Sequence, residues 1–342
     1  MANEYSFERC PICMEPMDMP HKCCSICSFF CDFVTKDSFD NGDLLYLPPN
    51  PQLPFHAGAR VRSTDFGTAY MGYNELSKHR VLLKEFFPFP VLQRKYDAGY
   101  PRFRAHDEAI FQKAAENVIR EAQMLAKKVI PGAEQVYGAF RANGTVYLVT
   151  EYICGPSMQD ISLSELWKTC SLLFPKNALE RKIPELSFYR LLRPLLLLLQ
   201  RMHFNGLYHG NLEPACILLD MQHPRLVLGN LGTREAQCRH QSTSTAIIRY
   251  NECLPGSYLN LTPAQQDIFA ICNVIYYILA GTLPPWNEYH PRTESEASPL
   301  PRVIENVLMK GSSPQKIKSF RGMAELIAAL DDAFTRLARL QK

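Results

Sequence analysis

No stretch of this sequence is apolar for long enough to cross a bilayer. The longest such run, Leu195–Leu199 behind Pro194, falls far short of the ~20 residues that a spanning helix needs. The opening residues, MANEYSFERC, are polar and lack the apolar middle of a leader peptide. A dominant charge sign is missing as well: 37 Lys and Arg stand against 34 Asp and Glu, a net charge of +3. So slight an excess gives no electrostatic hold on nucleic acid or an anionic bilayer. These absences predict a soluble, cytoplasmic chain with no membrane span and no nucleic-acid partner. What is present is 46% hydrophobic residues over 342 positions, enough to pack two lobes and a small extra module.

Cysteine is plentiful and unevenly placed. Six of the 12 cysteines fall in the first 31 residues, which in a reducing compartment points to metal rather than a disulfide framework. Cys10-Pro-Ile-Cys13 and Cys24-Ser-Ile-Cys27 are two C-x₂-C knuckles. Each offers two thiolates from one tight turn, and together they make a closed S₄ site suited to structural Zn²⁺. The alternative is a redox-active or unpaired cysteine cluster. Cys23 could take the place of Cys24, and Met14 and Ser28 stand where a glycine often follows such a knuckle. Residues 1–35 resemble a short zinc ribbon, a module too small to fold without its metal. That resemblance implies a docking role toward a protein partner. Residues 36–54 read as a linker, with the turn sequence Asp40-Asn41-Gly42-Asp43 and Pro48, Pro49, Pro51 and Pro54.

The stretch His209–Leu219, HGNLEPACILL, is followed by Leu228-Gly229-Asn230-Leu231-Gly232. The two resemble the catalytic and metal-binding loops of protein kinases, whose patterns are H-R-D-L-K-P-E-N-I-L-L and L-x-D-F-G. His209, Leu212, Pro214 and Ile217–Leu219 match. The residues that do the chemistry do not: Gly210, Asn211, Glu213 and Cys216 replace the Arg, catalytic Asp, Lys and metal-binding Asn, and Asn230 replaces the metal-binding Asp.

Upstream, Phe66-Gly67-Thr68-Ala69-Tyr70 and Val81-Leu82-Leu83-Lys84-Glu85-Phe86-Phe87-Pro88 read as strand, turn and strand. They resemble the phosphate-covering loop and lysine strand of bacterial serine/threonine kinases. Arg62 and Thr64 occupy the first two glycine positions, leaving Gly67. Lys84 takes the lysine position, and Glu121, on an expected helix over Phe111–Lys127, is its matching carboxylate. A buried lysine needing a counter-charge would look the same. Leu82 crowds the adenine roof, with the small Ala69 in partial compensation. Two further strands, Val136–Phe140 and Thr145–Tyr152, meet at Arg141-Ala142-Asn143-Gly144, a hairpin signal. In the resemblance Thr150 is the gatekeeper, and Glu151 to Ile153 form the hinge whose backbone meets adenine.

Downstream, Leu186–Asn205 reads as an apolar helix ended by Gly206, with Pro194 a point for a kink. Gln265–Gly281 resembles the buried central helix of the large lobe. Asp267 matches the aspartate that ties that helix to the catalytic loop, and Cys272 replaces a family glycine. Thr233–Thr245 is the counterpart of an activation loop. Tyr250–Pro255 does not cleanly supply the A-P-E or P-P-E motif that follows in the family, and Ser319 stands where the arginine partner of its glutamate belongs. Met323–Leu340 reads as a closing amphipathic helix.

The resemblance implies an α+β, two-lobed kinase-like fold: a small β-rich lobe over 55–151 and a helical lobe over 152–342, preceded by the zinc ribbon. Expected nucleotide-binding residues are Gly67, Lys84, Glu121, Glu151 and Ile153; expected zinc ligands are Cys10, Cys13, Cys24 and Cys27. The degenerate Asn211, Glu213, Cys216 and Asn230 predict a regulatory or nucleotide-sensing pseudokinase and no enzyme, with ATP as a ligand of the hinge and Mg²⁺ short of its carboxylates. The alternative is an ATP-dependent serine/threonine kinase, or another phosphoryl or nucleotidyl transferase, that recruits Glu213, Asp220 or Glu235.

Overall fold

The computed structural model describes residues 8–17, 24–28, 42–47, 53–64, 66–87, 92–94, 101–103, 108–173, 183–210, 212–223, 225–232, 261–282, 284, 300–313 and 319–340. Two units account for them. One holds the described residues up to Val129 together with Gln135–Tyr152; the other holds Ile130–Glu134 and the described residues from Ile153 on.

The first unit is built on five antiparallel strands. They are β1 (Phe55–Thr64), β2 (Gly67–Asn74), β3 (His79–Glu85), β6 (Val136–Ala142) and β7 (Thr145–Glu151), in the order β1-β2-β3-β7-β6. A separate short ribbon pairs β4 (Leu92–Arg94) with β5 (Pro101–Phe103). β6 and β7 turn at Asn143 (φ 50°) and Gly144 (φ 71°), the left-handed pair that a two-residue hairpin requires. One face of the sheet buries Tyr70, Val81, Leu83, Tyr147 and Val149, with Leu45 added from outside the strands. Helix α1 (Glu108–Ala126) buries Phe111, Ala115, Val118 and Ala122, a stripe at helical spacing, and packs on β6 and β7. Residues 42–47 fall in the stretch expected as a linker. Here they lie along β1: Leu45 N–H donates to Gly58 O at 2.9 Å and Arg60 N–H to Asp43 O at 2.8 Å. Leu44 and Leu45 are apolar and both become buried there.

The second unit is helical: α2 (Leu163–Leu173), α3 (Pro184–Phe204), α4 (Pro263–Ala280), α5 (Arg302–Gly311) and α6 (Met323–Leu340), with the ribbon β8 (Ile217–Asp220) and β9 (Arg225–Leu228). Helix α3 runs as one helix through Pro194, which is exposed at 194 and so leaves the freed carbonyl near solvent. Helix α4 is the hub. A Thr262–Gln265 capping box opens it, Gly281 closes it at φ 69°, and residues on every side of it are buried. Cys272 is fully buried against Gly311 of α5. A Cβ at 311 would run into the Cys272 sulfur, so the larger side chain on one helix is matched by a missing one on the next. Tyr189 of α3 stacks on Phe334 of α6, centroids 4.1 Å apart, and donates to Asp331 at 2.8 Å. No helix among the described residues is long and apolar enough to cross a membrane.

Candidate functional site

In the helical unit, the loop around His209 is held from below by Asp267 on α4. The carboxylate is buried and accepts the His209 N–H at 2.9 Å and the Gly210 N–H at 2.8 Å. His203 Nε2 of α3 lies 2.8 Å from the same carboxylate. The His209 ring in turn donates from Nε2 to Gly229 O at 2.9 Å, and Gly229 N–H donates to Cys216 O at 2.7 Å. The two loops singled out in the sequence are therefore fastened to one helix and to each other.

Within this frame Glu213, Cys216 and Asn230 come together. Asn230 donates its side-chain amide to Cys216 Sγ at 3.5 Å, and the thiol donates to Glu213 Oε1 at 3.9 Å. All three are buried. Asn230 sits at φ 59°, a left-handed conformation that asparagine tolerates better than most residues. Asn211 lies outside the described residues, as do Glu235 and the stretches 233–245 and 250–255. Asp220 is engaged elsewhere: it accepts from the Gln222 and His223 N–H groups at 3.0 and 3.1 Å and from Arg225 at 3.2 Å. Burial works against its ionisation, but these donors outweigh burial and hold its pKa below the usual range.

One carboxylate here escaped the sequence reading. Glu134 is buried and accepts the Leu231 N–H at 3.2 Å. Its own N–H donates to Leu228 O at 2.8 Å, and Leu228 N–H donates to Gly132 O at 3.0 Å. Residues 132–134 thus run alongside the Asn230 loop and fix it. A lone glutamate in the polar sequence Pro131-Gly-Ala-Glu134-Gln carries no local signal of this role.

In the sheet unit, Lys84 is buried, 4% exposed, on β3 with Ala69 and Leu148 as cross-strand neighbours. Leu82 lies opposite Met71 and Thr150. The Thr150 hydroxyl is buried and makes no hydrogen bond among the described residues. Glu121 is half-buried on α1, beside the core residue Ala122. Gly67 opens β2 at φ 141°, where a Cβ would strike the Glu85 carbonyl and the Phe87 nitrogen. The preceding Phe66 is buried on Phe86, centroids 5.1 Å apart, and Phe86 stacks on Phe111 of α1 at 5.5 Å. The side chain of Glu151 accepts from Gln135 N–H at 3.1 Å. Ile153, in the other unit, buries its side chain with Leu218 and Val227.

The cysteine module belongs to the sheet unit. The sulfurs of Cys10, Cys13, Cys24 and Cys27 all lie within 4.8 Å of one another. Cys10 and Cys27 are 3.5 Å apart, and Cys13 and Cys24 are 3.6 Å apart. Four sulfurs at ~2.3 Å from a tetrahedral Zn²⁺ would stand ~3.8 Å apart, so the donor set fits that ion. Met14 N–H bonds Cys10 O and Ser28 N–H bonds Cys24 O, both at 2.8 Å. Met14 and Ser28 sit at φ 61° and 58°, in the conformation for which a glycine was expected after each knuckle. At Cys24 burial opposes ionisation, yet the N–H groups of Cys27 and Ile26 aimed at its sulfur bring the thiol down to about 7. Cys23 lies outside the described residues.

No family model matches the chain. Among curated proteins it is similar to "Serine/threonine-protein kinase PknD" of Chlamydia pneumoniae, 20% identical over 286 residues covering 77% of this chain and 27% of that protein. The protein of the same name from Chlamydia caviae is 22% identical over 272 residues, 71% of this chain and 28% of its own length. The chain thus spans little more than a quarter of these relatives. Among solved structures, "PpkA-294 apo form" superposes with a TM-score of 0.63 at 20% identity, covering 84% of this chain and 99% of that one. A Mycobacterium tuberculosis PknI kinase domain, a C20A_R136A double mutant, gives 0.52 at 14% identity over 82% of this chain and 96% of the other. The fold is protein-kinase-like, with a β-sheet unit and a helical unit, as expected. The expectation of no enzyme is corrected by the same matches: the curated relatives are named kinases and a matching solved chain is a kinase domain, which points to an enzyme. Replaced letters in two loops were too narrow a basis for excluding activity, because phosphoryl transfer rests on positioning as well as on those groups.

Proposed function

We propose that the chain is an ATP-binding, serine/threonine-kinase-like phosphotransferase of low turnover with a regulatory role. The observation that carries it is the Asp267 bracket, which holds the backbone at His209 and Gly210 with bonds of 2.9 and 2.8 Å. Burying a carboxylate is costly unless its partners are fixed, and here they are the backbone of the loop that presents the reacting hydroxyl in kinases. On this reading Lys84 neutralises nucleotide phosphate with Glu121 as its counter-charge, Gly67 shapes the turn beside it, and the backbone of Glu151 to Ile153 meets adenine. Asn211 takes up no proton near pH 7, so the base is a non-standard group; Glu213 is the carboxylate of the described loop. Loss of a positioned general base lowers a rate by ~10²–10⁴-fold, hence the low turnover. Mg²⁺, where bound, supplies charge neutralisation at the phosphates; Asn230 and Cys216 are poor ligands for so hard a cation.

A nucleotide-sensing role is favoured by a second observation: Asn230 donates to Cys216 and Cys216 to Glu213, so groups at the metal-ligand positions are engaged with protein. At the other end, Cys10, Cys13, Cys24 and Cys27 hold structural Zn²⁺ in a module that faces a protein partner.

Transfer of labelled γ-phosphate from ATP, with Mg²⁺ or Mn²⁺, tests the first reading. Slow incorporation that Lys84→Met abolishes and Asn211→Asp raises at least tenfold is expected. No incorporation by either the natural chain or Asn211→Asp contradicts it.

A further inference from the structure

The first cysteine knuckle is built into the edge of the sheet rather than tethered to it. Pro11, between Cys10 and Cys13, accepts the Ala59 N–H of β1 at 2.8 Å. Gly58 has no room for a Cβ because Met14 and the Pro11 carbonyl press on it. Arg9, next to Cys10, pairs with Glu75 at 2.8 Å and lies 3.6 Å over the Tyr73 ring at the end of β2. Glu15, just past the knuckle, pairs with Arg80 of β3 at 2.6 Å. Four residues in or beside the knuckle, Arg9, Pro11, Met14 and Glu15, therefore hold three strands. The second knuckle is different. Ile26 is 69% exposed, and among the described residues Cys24 and Cys27 reach the first knuckle through sulfur. The turn that clamps the sheet is thus closed on its far side by whatever holds the four sulfurs together.

We infer that metal at Cys10, Cys13, Cys24 and Cys27 acts as a clamp on the β1–β2 hairpin, so that metal occupancy sets the local order of the strands that carry Gly67 and face Lys84. The inference rests on the zinc reading above and not on phosphotransfer. A turn that keeps Met14 at φ 61° is strained for a non-glycine residue; metal–sulfur bonds at Cys10 and Cys13, just before it, would offset that strain. Without them the turn would relax and Pro11 O would leave the Ala59 N–H, so that β1 loses this hold of the knuckle. The helices of the other unit have no such dependence: α4 is capped and buried by its own neighbours.

Hydrogen exchange on the full chain, nucleotide-free, tests this. Samples are the zinc-loaded chain, the chain after a strong zinc chelator, Cys27→Ser, and Gly58→Ala, with metal content measured on each. Metal removal is expected to speed exchange of amides in β1 and β2 at least tenfold and to leave α4 unchanged. Gly58→Ala is expected to keep its metal yet show the same fast exchange, because it pushes the knuckle off the strand. A β1–β2 exchange rate that ignores metal content overturns the clamp, as does α4 loosening in step with β1. A chain that takes up no zinc at one equivalent overturns the zinc reading itself, which the metal assay reports separately.

Discussion

The side-chain amide of Asn230 points at the sulfur of Cys216, 3.5 Å away, where a protein kinase would place two metal ligands. The thiol continues to Glu213, so three departures from the kinase pattern hydrogen-bond in one chain. Asn230→Asp should break this set. It puts a carboxylate, buried and facing Glu213 through the thiol, where an amide had donated, at a cost of about 3–5 kcal/mol for an uncompensated buried charge. Thermal unfolding without nucleotide should show the variant melting lower than the natural chain and recovering with Mg²⁺. Equal midpoints that ignore Mg²⁺ would mean the cluster is not the tight unit described.

The bracket on Asp267 makes a second prediction. Asp267→Asn leaves an amide whose nitrogen cannot accept, so one of the His209 and Gly210 N–H groups loses its acceptor and the other keeps only a neutral one. Hydrogen bonds to charged groups contribute about 1.5–3 kcal/mol, and a denaturant melt should report a loss of that order, with any phosphotransfer falling too. Unchanged stability would remove the bracket from the account.

Cys272 and Gly311 should behave as a coupled pair. Gly311→Ala alone drives a methyl into the buried sulfur, and overpacking of that kind costs about 1–3 kcal/mol. Adding Cys272→Gly should restore much of the loss, since contacting sites couple by about 0.5–3 kcal/mol. Additive losses in the double variant would show that the two helices pack through other residues.

Acid should loosen the contact between α3 and α6. Arg193, foremost, holds the Asp331 carboxyl below its ordinary pKa against the opposing effect of burial, with a lesser contribution from Tyr189. A carboxyl depressed by folding adds stability above its unfolded pKa, near ~3.9 for aspartate, and loses it as pH falls through the lower folded value. Asp331→Asn should therefore lower stability at neutral pH and flatten its decline in acid. Both partners are more than a third exposed, so the effect is small. An acid slope identical in the two proteins would contradict the assignment.

Much of the frame was written in local signals. Capped helices, the Asn143-Gly144 turn and the order of loops around His209 depend on neighbours in sequence, and the structure places them where spacing put them. The cysteine set also came from spacing, and Met14 and Ser28 take up left-handed backbone where a glycine often follows such a knuckle. Other features depend on contacts that no short window holds. Glu134 anchors the Asn230 loop from 97 positions away. Leu44 and Leu45 look like linker residues until β1 is beside them, and Gly311 is informative only against Cys272. The reading of activity failed for a related reason: it weighed letters in two loops, while the fold and the names of the relatives speak to the whole scaffold.

The most direct measurement is thermal unfolding with and without ATP, each with and without Mg²⁺, on the natural chain and on Lys84→Met. ATP at 100 times its dissociation constant adds about 2.7 kcal/mol to the folded state, at about 2–4 °C per kcal/mol for domains of this size. The account predicts a rise of several degrees with ATP and Mg²⁺ that Lys84→Met abolishes. No rise in any condition would contradict nucleotide binding, and with it the phosphotransferase reading.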